Sequence, residues 1–171
     1  MIFAGGNGLV EVDDDWLHHG VPAVVLEVPV HLAPAEEMIW SKSFVMERER
    51  YDGADVTHII RKSGPALDWM RMLRRFGSHA PVLLSQLLVF QFAYPDHRHH
   101  VPDWVMDELW RRSRAEQRLP PRLCRGTLIS REQYLVDVTK WGYLDAREMP
   151  LGRMTPKQIQ AWTAAIDMDK K

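Results

Sequence analysis

From the N-terminus, apolar and polar positions first alternate in short runs and then settle into helical spacing. MIFA is a short apolar run, GGNG is a turn signal and LVEV continues as a strand. DDDWLHH opens a single helical turn with an aspartate as its cap. AVVLEV and PVHL read as strands, and Pro29 between them marks an edge strand or a break. Beyond Pro34 the period is that of a helix. Pro34 suits a first helical position, and Glu36 and Glu37 suit the positive end of the helix dipole.

A second helix is expected from Asp52 or Gly53 to Lys62, stopped by Ser63-Gly64-Pro65, and a third over Ala66 to Phe76, closed by Gly77. PVLLSQLLVFQFAY is apolar nearly all round and reads as a buried central helix. VPDWVMDELWRRSRAEQ is amphipathic, with Trp104 and Leu109 on its apolar side. Leu119 to Arg125 reads as a linker. SREQYLVDVTKWGY predicts a helix with Ser130 and Gln133 as a capping box. Met154 to Asp167 predicts a closing helix with Thr155 as cap. The expectation is an α+β chain: a small mixed sheet in residues 1–33, then a helical body over 34–171, one compact domain with a linker near 119–125.

Composition narrows the class. The chain has 171 residues, enough for one core; 46% are hydrophobic and 26% charged, a globular balance. The net charge of −1 offers no whole-chain reason to expect nucleic acid or a membrane surface. A single cysteine, Cys124, excludes an intrachain disulfide and a cysteine-based zinc site, and fits a cytoplasmic setting. No apolar run of the sequence approaches the roughly 20 residues of a membrane span. Seven tryptophans suggest a core with several large anchors.

One position stands out. At helical steps Met38, Ile39, Val45 and Met46 form one arc, and Lys42 falls inside it. Three readings stay open. The lysine stem covers apolar surface while the ammonium reaches water. Alternatively it contacts a phosphate, or it pairs with Asp52 or Asp55. Asp52 also reads as a helix cap. Arg48 and Arg50 stand at a helix end, where cations are favoured, and ERER reads as a solvated face.

The run PAEEMIWSKSFVMERERYDGADVTHII carries more than periodicity. A Pro-Glu-type helix start leads to Lys42, then to Arg48 and Arg50, and then to Asp52-x-x-Asp55 opening the next helix. This resembles the segment after the catalytic sheet in bacterial nucleotidyltransferase-like proteins of the DNA polymerase beta superfamily. The likeness extends over LDWMRMLRRFG, HHVPDWVMDELWRR and CRGTLISREQYLVDVTKWGY, most of the chain.

The resemblance implies transfer of a nucleoside monophosphate from a nucleoside triphosphate, with magnesium ions bridging the phosphates. It implies a lysine beside the triphosphate as a point charge. Lys42 and Asp55 are the matching positions, with Arg48, Arg50 and Asp52 completing the nucleotide- and phosphate-binding set. The family's Gly-Gly or Gly-Ser turn followed by Asp-x-Asp is not matched. Gly5-Gly6-Asn7 with Asp13 and Asp15 mimics it, but LVEV leaves no room for the intervening helix. The likeness is to the back portion of such a protein, with the metal-binding carboxylates expected before Met1. Activity in this chain is therefore not expected, no catalytic residue is named, and magnesium rests on the resemblance alone.

The alternative is a non-catalytic interaction module that self-associates, because a partial sheet exposes an edge and an apolar face. His97, His99 and His100 read as a surface loop rather than a zinc site. Cys124 reads as a structural thiol. Arg111 to Arg118 reads as a solvated helix face more than a nucleic-acid contact.

Overall fold

In the computed structural model the residues described are 7–115 and 118–168. The chain is α+β, and it forms two compact units interleaved in sequence.

One unit comprises Val12–Ser43 and Asp52–Glu116. It begins with a single turn, α1 (Asp15–His18), and a hairpin of β1 (Val21–Val25) and β2 (Val28–Leu32). Pro29 pairs with Val24 inside the hairpin and breaks nothing. The chain reverses instead at Leu26-Glu27, both at positive φ, as a two-residue primed turn requires. The pattern hid this turn because neither residue is a usual turn former.

Five helices follow: α2 (Ala35–Ser43), α3 (Gly53–Ser63), α4 (Trp69–Phe76), α5 (Ala80–Ala93) and α6 (Asp103–Arg114). Their core is formed by Ile39 of α2, Val56 and Ile60 of α3, Met72, Leu73 and Phe76 of α4, Leu83, Leu87 and Phe90 of α5, and Val105 and Leu109 of α6. Each such side chain contributes about 1.5–3 kcal/mol relative to exposure.

α4 starts where Asp68 accepts the Arg71 N–H at 2.9 Å, three residues later than the periodicity suggested. Gly77 ends it at φ +48°, a conformation that suits glycine.

α5 is buried on one side only. Leu88, Val89 and Phe92 face outward, and so does Trp104 of α6, which the pattern had placed beside the buried Leu109. An all-apolar sequence carries no signal for which side is covered. Trp69–Ala93 is also, by length and hydropathy, a helical run able to cross a membrane. The chain turns at Gly77 within it, and Arg71 is held there by carboxylates of α2.

The other unit comprises 1–11, 44–51 and 117–171. Its strands β3 (Leu123–Cys124) and β4 (Leu144–Asp145) pair in parallel. The described strands thus form two two-stranded sheets, not one mixed sheet. The helix expected from Ser130 shrinks to α7 (Leu135–Thr139). Ser130 does cap locally, its hydroxyl accepting the Gln133 N–H at 3.0 Å. That hydroxyl also donates to Glu47 at 2.5 Å. α8 (Pro156–Met168) begins as expected, with Thr155 and Gln158 bonding each other. LVEV forms no named strand, and MIFA lies outside the described residues.

Candidate functional site

Lys42 lies in the last turn of α2, where the dipole favours a cation. Asp52 holds the N-cap position of α3, and Asp55 stands in that helix's first turn. The Lys42 ammonium lies 2.7 Å from Asp55 Oδ2 and 3.2 Å from Asp52 Oδ2. The side chains of Lys42, Asp52 and Asp55 are 22%, 10% and 54% exposed, so the cluster lies at the surface with Asp52 at its base.

Asp52 makes no capping bond with its side chain, contrary to the expectation from sequence. Its carboxylate instead meets an ammonium, a donor that carries a full charge where a backbone N–H carries only a dipole. Hydrogen bonding to Asp55 raises the Lys42 pKa against the opposing effect of burial, and Asp52 raises it further. The lysine therefore stays charged at neutral pH.

Arg48 and Arg50 do not stand at a helix end. α2 stops at Ser43, and 44–51 belongs to the other unit. There the Glu47 N–H donates to the Arg50 carbonyl, and Met46 bridges Tyr51. The cause is non-local. The Met46 N–H donates to the Ile129 carbonyl at 2.9 Å, and Glu47 accepts from the Ser130 hydroxyl and the Arg131 N–H. These bonds replace the helical ones that 44–51 would have made. Burial would raise the Glu47 pKa, but these bonds outweigh it and hold the carboxyl low. Arg48 pairs with Glu49 at 3.2 Å on a fully open surface, a contact of little energetic weight.

Magnesium does not fit the lysine cluster. Asp52 and Asp55 converge, but the Lys42 ammonium already occupies the point between them. Among the described residues no group of three histidines, cysteines or acidic residues is placed to hold a metal ion. His97, His99 and His100 lie on a short 3-10 helix, Pro95–His100, with His100 stacked on Phe90.

Sequence reasoning missed a second charged network. Glu36 and Glu37 are both buried, not set at an open helix end. Arg71 of α4 bonds Glu36 at 2.5 Å and approaches Glu37 at 3.6 Å. Arg75 bonds Glu37, Asp13 and Asp15 and lies over the Trp40 ring at 5.2 Å. The signal was present: Arg71 and Arg75 are four apart and share one face of α4.

In the other unit, Arg147 is 1% exposed and grips the Asp145 carboxylate with two nitrogens. The pair contributes to the wall of a cleft of about 440 Å³ beside α7 and α8. Arg111 and Arg112 both bond Glu108 and hold its carboxyl down to about 2, and Arg114 lies over Trp110. This basic stripe is internally neutralised in part. Comparison with models of known protein families, with curated proteins and with solved structures finds none that matches this chain.

Proposed function

We propose that the chain is a nucleotidyltransferase-like protein that binds a magnesium-complexed nucleoside triphosphate through Lys42. The observation that supports this is the convergence of Lys42, Asp52 and Asp55 across 10 and 13 residues. Lys42 and Asp55 are the positions that match the resemblance, and Asp55 is half-exposed. The cluster carries a net charge of −1, so a bare triphosphate is repelled. A triphosphate that arrives with its own magnesium is repelled less and can compete for the ammonium. We assign binding rather than transfer, because the resemblance reaches only the back portion of such a protein and the family's Asp-x-Asp is not matched in this sequence.

Calorimetry with each of the four magnesium nucleoside triphosphates tests the reading. Heat with at least one of them below about 1 mM, abolished by Lys42→Met, is the expected result. No heat at millimolar nucleotide would sink it.

A second reading is a self-associating interaction module. The β1–β2 hairpin favours it, because its apolar side chains stand exposed. A chain that stays monomeric at all concentrations would end this reading.

A further inference from the structure

The joint between α3, α5 and the 3-10 turn Pro95–His100 gathers rings and cations on one surface. Tyr94 caps the end of α5 and opens the turn. His100 closes the turn and stacks on Phe90, a fully buried residue of α5. Gly64, just after α3, lets His100 approach, since a Cβ there would stand 2.7 Å from the His100 Cβ. The turn is therefore held against both helices from its inner side.

From that base the rings continue outward. The ring centres of His97 and His100 are 4.9 Å apart, and those of His99 and His100 are 4.7 Å apart. Tyr94 lies 6.3 Å from His97 and 6.3 Å from His58 of α3. The Arg61 guanidinium stands 5.6 Å over the Tyr94 ring. Arg61 and Lys62 come three and four residues after His58, so the three share one face of α3, and all are exposed. In the turn, Arg98 and His99 are exposed, while Tyr94 and His97 are half-buried.

The charges of this strip are left over for a partner. Arg71, Arg75, Arg111 and Arg112 of the same unit are each held by carboxylates. Among the described residues Arg61, Lys62 and Arg98 form no ion pair. Asp55, one turn before His58, is taken by Lys42. Asp96 in the turn and Asp103 just after it are exposed carboxylates that temper the positive charge without pairing with it.

We propose that this strip binds single-stranded nucleic acid, with bases stacked on the exposed rings and the three cations facing phosphates. An anion without rings would use the cations and leave the imidazoles and Tyr94 idle. A duplex keeps its bases stacked inside the helix, away from the rings. An unpaired strand presents phosphates and base faces together, and stacking accepts any base. The net charge of −1 shows no trace of this patch, because its cations are local to one joint. The proposal is independent of the nucleotide reading, since Lys42, Asp52 and Asp55 are not part of the strip.

Fluorescence anisotropy of a labelled oligo-dT and a labelled oligo-U, each of about 15 nucleotides, is titrated with the full chain. Both are expected to bind, because stacking and charge ignore the 2′-OH, with a dissociation constant of about 1–100 μM at low salt. Log affinity is expected to fall with log salt concentration at a slope of about −2, for three neutralised phosphates. Arg61→Gln with Lys62→Gln weakens binding and flattens that slope to about −0.7. His97→Ala weakens binding about tenfold and keeps the slope, which marks stacking rather than charge. His99→Ala repeats that test if His97→Ala loses the helical circular-dichroism signal of the parent. Arg114→Gln, on α6, keeps the affinity and slope of the parent. No anisotropy change with either strand up to about 500 μM overturns the proposal. Full affinity in both histidine variants overturns the stacking, and with it the choice of nucleic acid over any other anion. Tighter binding of the matching duplex overturns the unpaired strand. Loss of binding in folded Arg114→Gln, with the α3 variant unaffected, overturns the strip as the contact surface.

Discussion

Asp52 occupies the N-cap of α3, yet its carboxylate accepts from the Lys42 ammonium 3.2 Å away and makes no side-chain capping bond. The two helices are thereby tied by an ion pair rather than by a cap. Lys42→Met takes the Lys42 ammonium away from the mostly buried Asp52 carboxylate. A loss of about 1–3 kcal/mol is expected in urea unfolding. Asp55→Asn, at a half-exposed site, is expected to lose less than about 1 kcal/mol. Equal losses would show that the lysine's contribution runs through Asp55 rather than through the more buried Asp52.

The same pair sets an alkaline limit. Asp55 and Asp52 raise the Lys42 pKa in the folded chain. Its contribution is therefore fully present below the unfolded value of about 10.4 and is lost as pH rises through the folded value. Thermal melting compared between the parent and Lys42→Met is expected to show a gap that is constant at neutral pH and closes only above about pH 10. A gap that closes near pH 8 would contradict this assignment.

Acid acts through other groups. Burial would raise the Asp145 pKa, but the Arg147 guanidinium and N–H and the Thr127 hydroxyl overcome it and lower the value. The stabilisation is present above the unfolded pKa of about 3.9 and is lost as pH falls through the folded one. Asp145→Asn strands the buried Arg147, and a loss of about 3–5 kcal/mol at pH 7 is expected. Its melting temperature is expected to depend less on pH between about 4 and 2 than that of the parent. An unchanged acid slope would remove Asp145 from this role.

The buried carboxylates of α2 give a third stability test. Arg71 bonds Glu36 beside the fully buried Glu37. Arg71→Met leaves those charges short of a cation and is expected to cost about 3–5 kcal/mol by urea unfolding. The double change of Arg71→Met with Glu36→Gln is expected to cost less than Arg71→Met alone, because the buried charge leaves with its partner.

Gly126 tests close packing in the other unit. A Cβ there would stand 2.2 Å from the Tyr134 ring. Gly126→Ala is expected to lose about 1–3 kcal/mol, read as a lower melting temperature. Tyr134→Ala in the Gly126→Ala background is expected to recover part of that loss by removing the ring. No recovery would place the strain elsewhere.

The sequence by itself determined the elements whose signals are local. Apolar spacing located α3 and α6, an unbroken apolar run located α5, and the Thr155-Pro156 start located α8, each within a few residues. Lys42 stood out from the same spacing, with Asp52 and Asp55 as its candidate partners. The tertiary structure decided what depended on distant residues. α2 ends at Ser43 because Ile129, Ser130 and Arg131 claim the backbone and side chains of Met46 and Glu47. Glu36 and Glu37 are buried because Arg71 and Arg75 meet them from α4. Which side of α5 is covered depends on where its neighbours pack, and a uniformly apolar helix does not encode that. Local periodicity reports a residue's face, whereas burial of a charge depends on a partner that only the folded chain brings within bonding distance.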